Sequence, residues 1–225
     1  MNLAKPYVDI GLNTNALPAM LAFWQNEVGA RFDHMLPVRR GLKQHRHLIN
    51  NSVLKINEHA EPLSDKPPTG YAELLIAREG LEREKRMQDP EGVAVRLVPS
   101  GLHDITQIGI TLKVRDIAAH AQFLRQALGL AEVRSSVFRA GETLIILEQS
   151  GDAPSDASID GRGFRYVTFQ VFKCDLEHAH VLAHGGHERI APTTLGSTAR
   201  ISMVGDPDGN WIEISQRASL VGSLA

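Results

Sequence analysis

The residues best suited to chemistry in this 225-residue chain sit on segments where apolar and polar positions alternate. Asp206-Pro207-Asp208-Gly209-Asn210 runs into Trp211-Ile212-Glu213-Ile214. If Ile212 and Ile214 turn toward a core, then Trp211, Glu213 and Ser215 turn the other way, because strand side chains alternate between faces. The same alternation sets Tyr166, Thr168 and Gln170 opposite Val167, Phe169 and Val171, and Gln107, Gly109 and Thr111 opposite Ile108, Ile110 and Leu112. One face thus gathers a carboxylate, a phenol, hydroxyls, amides and an indole. A curved sheet with such a face makes a ligand pocket; the alternative is the ordinary solvated face of an antiparallel sheet. Thr168, Gln170 and Arg200 are candidate ligand contacts. Trp211 is a candidate stacking platform for a flat ligand, or else a core or rim residue. The small residues Thr193-Thr194-Leu195-Gly196-Ser197 before Arg200 suit either a mobile lid or a plain connection.

Other reactive side chains read as structural. His45 and His47 share a strand face and His180 and His184 a helix face, but neither pair has a third partner, so both read as solvated surface. The single cysteine, Cys174, cannot close an intrachain disulfide and has no evident activating base. It reads as a small half-buried residue, and the low cysteine use fits a reducing, cytoplasmic setting. Acids and bases are interspersed to a formal charge of −2, without the basic stripe that nucleic acid or an anionic membrane requires. No apolar run approaches the length of a membrane span. The expected partner is a small molecule, with neither nucleic acid nor membrane.

The elements that must position these residues recur along the chain. Asp9-Ile10-Gly11-Leu12 leads to a helix ending Phe23-Trp24-Gln25-Asn26-Glu27-Val28-Gly29, and Gln107-Ile108-Gly109-Ile110 leads to one ending Phe123-Leu124-Arg125-Gln126-Ala127-Leu128-Gly129. Both end at a glycine suited to the left-handed C-terminal position. Asp89-Pro90-Glu91-Gly92 parallels Asp206-Pro207-Asp208-Gly209, each a tight turn feeding a last strand. Further strands are expected at about 44–48, 52–57, 71–77, 136–140, 143–148 and 164–172, with a helix at 176–184. Residues 78–88 are short and highly charged, so the second unit looks degenerate. The boundary falls at 100–104, giving an N-terminal half (1–99) and a C-terminal half (104–225), each a pair of units.

Taken together, the 206–214 segment, Thr106-Gln107-Ile108-Gly109-Ile110, the helix end at Phe123–Gly129 and the strand through Val171 resemble the vicinal oxygen chelate superfamily of glyoxalases, bleomycin-resistance proteins and extradiol dioxygenases. The resemblance implies an α+β fold of duplicated βαβββ modules, forming two curved, mostly antiparallel half-barrel sheets with helices on the outer face, and a homodimer. It also implies metal-ligand slots at inward positions of the first and last strands. In the second half these are Gln107, a residue of strand 143–148 (Ile145 in the preferred register), Tyr166 and Glu213. In the first half they are Asp9, Lys55, Tyr71 and Arg96. Gln107 and Glu213 are candidate metal ligands, whereas a neutral phenol and two cations are poor ones. Asp9 with Lys55 or Arg96 reads as a salt bridge replacing a lost site. The expectation is therefore no cofactor, with one divalent ion (nickel, manganese, iron, cobalt or zinc) as the alternative. The two-histidine, one-carboxylate triad of an extradiol dioxygenase is missing from these slots. The activity implied is that of a lyase or isomerase on a small oxygenated substrate, with Glu213 abstracting a proton next to a carbonyl and Gln107 and Tyr166 donating to the oxyanion. The alternative is a non-catalytic, drug-sequestering protein of the bleomycin-resistance type.

Overall fold

A computed structural model describes residues 1–224. The first unit comprises β1 (Asp9–Thr14), a helix α1 (Leu17–Leu21) that continues as a π-helical turn over Ala22–Glu27, then β2 (Arg31–Arg39), β3 (Leu42–Ile49) and β4 (Ser52–His59). The second has β5 (Tyr71–Arg78), β6 (Lys85–Gln88) and β7 (Ala94–Pro99), and no helix. Its charged stretch 79–84 offers no apolar stripe to bury, which is what a surface helix of this length needs for stability. The third unit is β8 (Ile108–Val114), α2 (Ile117–Gln126), β9 (Ala131–Arg134), β10 (Val137–Ala140) and β11 (Thr143–Gln149). The fourth is β12 (Gly163–Gln170), α3 (Cys174–Ala183), β13 (His187–Leu195), β14 (Ala199–Gly205) and β15 (Trp211–Arg217), closed by a last turn, α4 (Ala218–Val221).

The strands form two sheets, one a curled half-barrel, in the α+β arrangement expected of βαβββ modules. Their composition corrects the expected pairing. The eight-stranded sheet runs β13-β14-β15-β12-β1-β4-β3-β2, and the seven-stranded sheet runs β6-β7-β5-β8-β11-β10-β9. Unit one therefore joins unit four through the antiparallel pair β1 and β12, and unit two joins unit three through β5 and β8. Neither sheet belongs to one half of the chain. Alternation fixes which face of a strand is buried, but it is the same in every unit and so carries no information about which first strand pairs with which. Residues 100–104 connect β7 to β8 and include the short helix Leu102–Asp104.

A single core cluster joins the helix-facing sides of both sheets. Ile10, Leu12, Ile108, Ile110, Val167 and Ile212 pack there with Phe23, Trp24, Phe123, Leu124 and Val181 of the helical segments. Asp116 caps α2 by accepting a hydrogen bond from Ala119 N at 3.1 Å. No helix among the described residues is long and apolar enough to cross a membrane.

The opposite faces of the two sheets differ. In the seven-stranded sheet, Leu75, Ala77, Val98, Ile105, Val137 and Leu144 form a second apolar cluster, with Ile146 packed against it. Ile105 lies so close over Gly109 that a Cβ there would stand 3.0 Å from its Cδ1. Ile145 is on the main-core side, and Leu144 and Ile146 hold the positions expected of a ligand. The corresponding face of the eight-stranded sheet is polar.

Candidate functional site in the eight-stranded sheet

Lys55 is the centre of that polar face. It lies on β4 between Leu54 and Ile56, which are fully buried in the core, so alternation sends its side chain to the concave side. There its Nζ donates to Thr168 Oγ1 at 2.7 Å and to Glu213 Oε2 at 2.9 Å. It also stands 5.3 Å from the centre of the Tyr166 ring. Thr168 and Glu213 face one another across β12 and β15, and the Thr168 hydroxyl lies 3.3 Å from Glu213 Oε2. Lys55 is 2 % exposed. Burial pushes its ammonium down from the ordinary lysine range, and the charges of Glu213 and Asp9 pull it part of the way back.

Tyr166 lies flat over Gly11, where any Cβ would meet the ring at 2.2 Å, so a side chain on β1 at this position would displace the phenol. Its hydroxyl accepts hydrogen bonds from Asn57 Nδ2 at 3.2 Å and, more weakly, from Gln44 Nε2 at 3.5 Å. Burial first, and then the charge of Glu213, raise its pKa well above that of a free phenol, so Tyr166 stays protonated and able to donate. Asp9 sits one pleat away. Its Oδ1 accepts from Lys5 Nζ at 2.7 Å and Val53 N at 2.8 Å, and its Oδ2 from Gln170 Nε2 at 3.0 Å. The expected bridge from Asp9 to Lys55 or Arg96 is therefore replaced by Lys5–Asp9, Lys55–Glu213 and Arg96–Glu73. Pairing of unit one with unit four brings Glu213 to Lys55.

Above this floor opens a cavity of about 540 Å³, within the range of small-molecule sites, roughly 300–1,000 Å³. Tyr166, Glu213, Gln44, Asn57 and Arg217 are polar residues of its lining, and Leu36, Leu42, Ile201 and Met203 belong to its apolar wall. Of the candidates, Glu213, Tyr166 and Thr168 come together here, and Gln170 lies beside them on Asp9.

Three others lie elsewhere. Gln107 precedes β8 in the seven-stranded sheet, where its carbonyl accepts from Ala77 N and its Oε1 from Asn51 Nδ2 at 3.0 Å; it shares no face with Glu213. Arg200 points outward to Asp175 at 2.6 and 3.0 Å and to Thr194, because its neighbours Ala199 and Ile201 take the cavity side. Trp211 shares the Glu213 face, but its indole N–H donates to Ala157 O at 2.7 Å under the Arg189 guanidinium, which pins the ring at the rim. The suggested lid at 193–197 is the end of β13, paired with β14 through Thr193, Thr194 and Leu195, and the start of the hairpin turn. The residues missed were Gln44, Arg46, Asn57 and Arg217. Asn57 follows the apolar Ile56 on β4, but Gln44 and Arg46 lie in a strand rich in polar residues and Arg217 follows Gln216, so periodicity carried no signal for these three.

The site does not fit a divalent metal. The only acid at its centre, Glu213, is held by an ammonium, and Gln107, the other candidate ligand, is in the other sheet. Among the described residues no three His, Cys, Asp or Glu side chains are grouped so as to hold an ion. A cation placed beside Lys55 would meet its like charge.

Residues 105–214 match the family model described as the Glyoxalase/Bleomycin resistance protein/Dioxygenase superfamily. The fold is similar to that of glyoxalase I from Zea mays, with 15% identity over 96% of this chain and 95% of that one and a TM-score of 0.75. A mutant of the same maize enzyme gives 14% identity, 97% coverage of both chains and a TM-score of 0.75. A search of curated proteins finds no match. Residues 105–214 are thus similar to the Glyoxalase/Bleomycin resistance protein/Dioxygenase superfamily, and the chain as a whole shares the fold of glyoxalase I.

Proposed function

We propose that this protein binds a small oxygenated organic molecule in the cavity of the eight-stranded sheet, without a metal ion. The observation that carries the reading is the cavity, whose lining includes Glu213 and Tyr166, with the Lys55 ammonium buried against both and held by Thr168 and Glu213. An ammonium has three N–H donors, and these two contacts use two of them. Glu213 and Tyr166, which the ammonium touches, line the cavity and present polar atoms to a carbonyl or hydroxyl of the ligand. The family's description spans binding proteins and enzymes, and the fold does not choose between them. Engagement of Glu213 by Lys55 favours binding, because a carboxylate oxygen that would take a proton already accepts from the ammonium.

A second reading is supported by the place of Glu213 in the cavity wall beside the protonated Tyr166. A bound carbonyl compound would give its α-proton to Glu213, while Lys55 and Tyr166 stabilise the enolate oxygen. This is the lyase or isomerase chemistry expected from the resemblance, with Lys55 in the role expected of Gln107.

One experiment addresses both readings. Aromatic and drug-like oxygenated compounds are screened by thermal unfolding against the wild type and Ile201→Trp, which fills the cavity. A compound at a hundredfold over its dissociation constant stabilises by about 2.7 kcal/mol. Shifts present in the wild type and absent from the filled variant are expected; equal shifts in both, or none, contradict the cavity reading. Hits carried into D2O then separate the two readings. Deuterium entering next to a carbonyl, and stopped by Glu213→Gln, makes the protein an enzyme, and its absence leaves a binder.

A further inference from the structure

Around Glu213 and Asp9 the cations outnumber the acids. Arg46, Arg217 and Lys55 act on one another and on Glu213 and Asp9. Both acids are already engaged, Glu213 by Lys55 and Asp9 by Lys5. Arg46 shares the concave face of β3 with Gln44, opposite Lys55, and is 4 % exposed. One of its terminal nitrogens donates to Gln44 Oε1 at 2.8 Å. Among the described residues, no carboxylate lies within ion-pair distance of Arg46 or Arg217, and the Nε atoms of both are buried without a hydrogen-bond partner.

A guanidinium keeps its charge and presents five donors in a planar fork, so an unmatched buried one is normally corrected by an acceptor. Burial, and then the repulsion of Arg46, push Arg217 down from the ordinary arginine range, consistent with charge awaiting an anion. Arg217 lines the cavity together with Leu36, Leu42, Ile201 and Met203. At the mouth, Arg39 and Asp160 are both present beside His59 and offset one another. The unbalanced charge of the lining is therefore that of Arg217.

We propose that Arg217, with the charge of the buried Arg46 beside it, forms the anion-binding end of this cavity, and that its ligands are organic carboxylates with an apolar body. The proposal rests on the reading of the cavity as the ligand site. A carboxylate matches the guanidinium fork and offers lone pairs to Arg217, which lines the cavity without an acid partner.

The test is isothermal titration of the full chain with phenylacetate, indole-3-acetate and octanoate, each beside its primary amide. The amide keeps shape and apolar body and loses the charge. Acids are expected to bind at least about tenfold more tightly than their amides, from charge-assisted hydrogen bonding. Arg217→Gln, whose folding is checked by a cooperative melt, should erase the difference, and Arg217→Lys should restore part of it. Equal affinity of acid and amide in the wild type, or an acid preference that survives Arg217→Gln, overturns the anion end while leaving the cavity a ligand site. Binding by neither member of any pair overturns both.

Discussion

Lys55 interrupts a strand whose neighbours Val53, Leu54 and Ile56 are buried, and its ammonium can be there only because Thr168 and Glu213 receive it. Removing one member of a buried ion pair strands the other and costs about 3–5 kcal/mol, whereas replacing both with apolar groups costs far less. Lys55→Met is therefore expected to destabilise the protein by about that amount, and adding Glu213→Leu to recover most of it, as read from urea unfolding midpoints. A loss below about 1 kcal/mol for Lys55→Met would mean the pair behaves like a surface one. Alternation alone placed Glu213, Tyr166 and Thr168 on the correct face. It failed for Arg200 because that residue was read as following a loop, whereas it is the second residue of β14 and one position out of phase with the cavity. The charge on β4 was legible, but its partner was not, since Glu213 lies 158 positions away in a unit expected to pair elsewhere.

Two elements repeat with different surroundings. Asp89 Oδ1 accepts from Glu91 N and Val93 N at 2.9 Å, as Asp206 Oδ1 does from Asp208 N and Asn210 N at 2.9 Å. These bonds are why the Asp-Pro-x-Gly repeat marks a tight turn in both places. Asp206 also has Asn210 at 2.8 Å and His120 at 3.4 Å, whereas Asp89 Oδ2 is buried without a partner. Burial accordingly raises Asp89 from 3.8 to about 6. The folded state holds this proton more tightly than the unfolded chain, so its contribution is present at pH 4 and is lost as the pH rises toward 6, an effect of about 3 kcal/mol. Asp89→Asn keeps the acceptor and cannot titrate. Wild-type stability relative to this variant should be greater at pH 4 than at pH 7 in denaturant melts, and the same difference at both pH values would contradict the burial argument. The repeat could be found in sequence because it depends on local backbone bonding. The burial that raises the Asp89 pKa comes from tertiary packing and could not.

Across the whole molecule, four related units make two sheets with different fates. The seven-stranded sheet fills its concave side with Leu75, Val98, Ile105, Leu144 and Ile146, while the eight-stranded sheet keeps a polar floor under an open cavity. The units, their order and the degeneracy of the second were readable from periodicity and turns. Their cross-pairing was not, because all first strands carry the same alternation. That pairing decides the chemistry, since it brings Lys55 rather than Gln107 to Glu213. The most direct test of a metal-free site is thermal unfolding of EDTA-stripped protein with and without nickel, manganese, iron(II), cobalt and zinc, beside Glu213→Ala. An unchanged wild-type midpoint with every ion is the predicted result. A rise with one metal that disappears in Glu213→Ala would contradict it, and would mean that Lys55 yields its place to a cation.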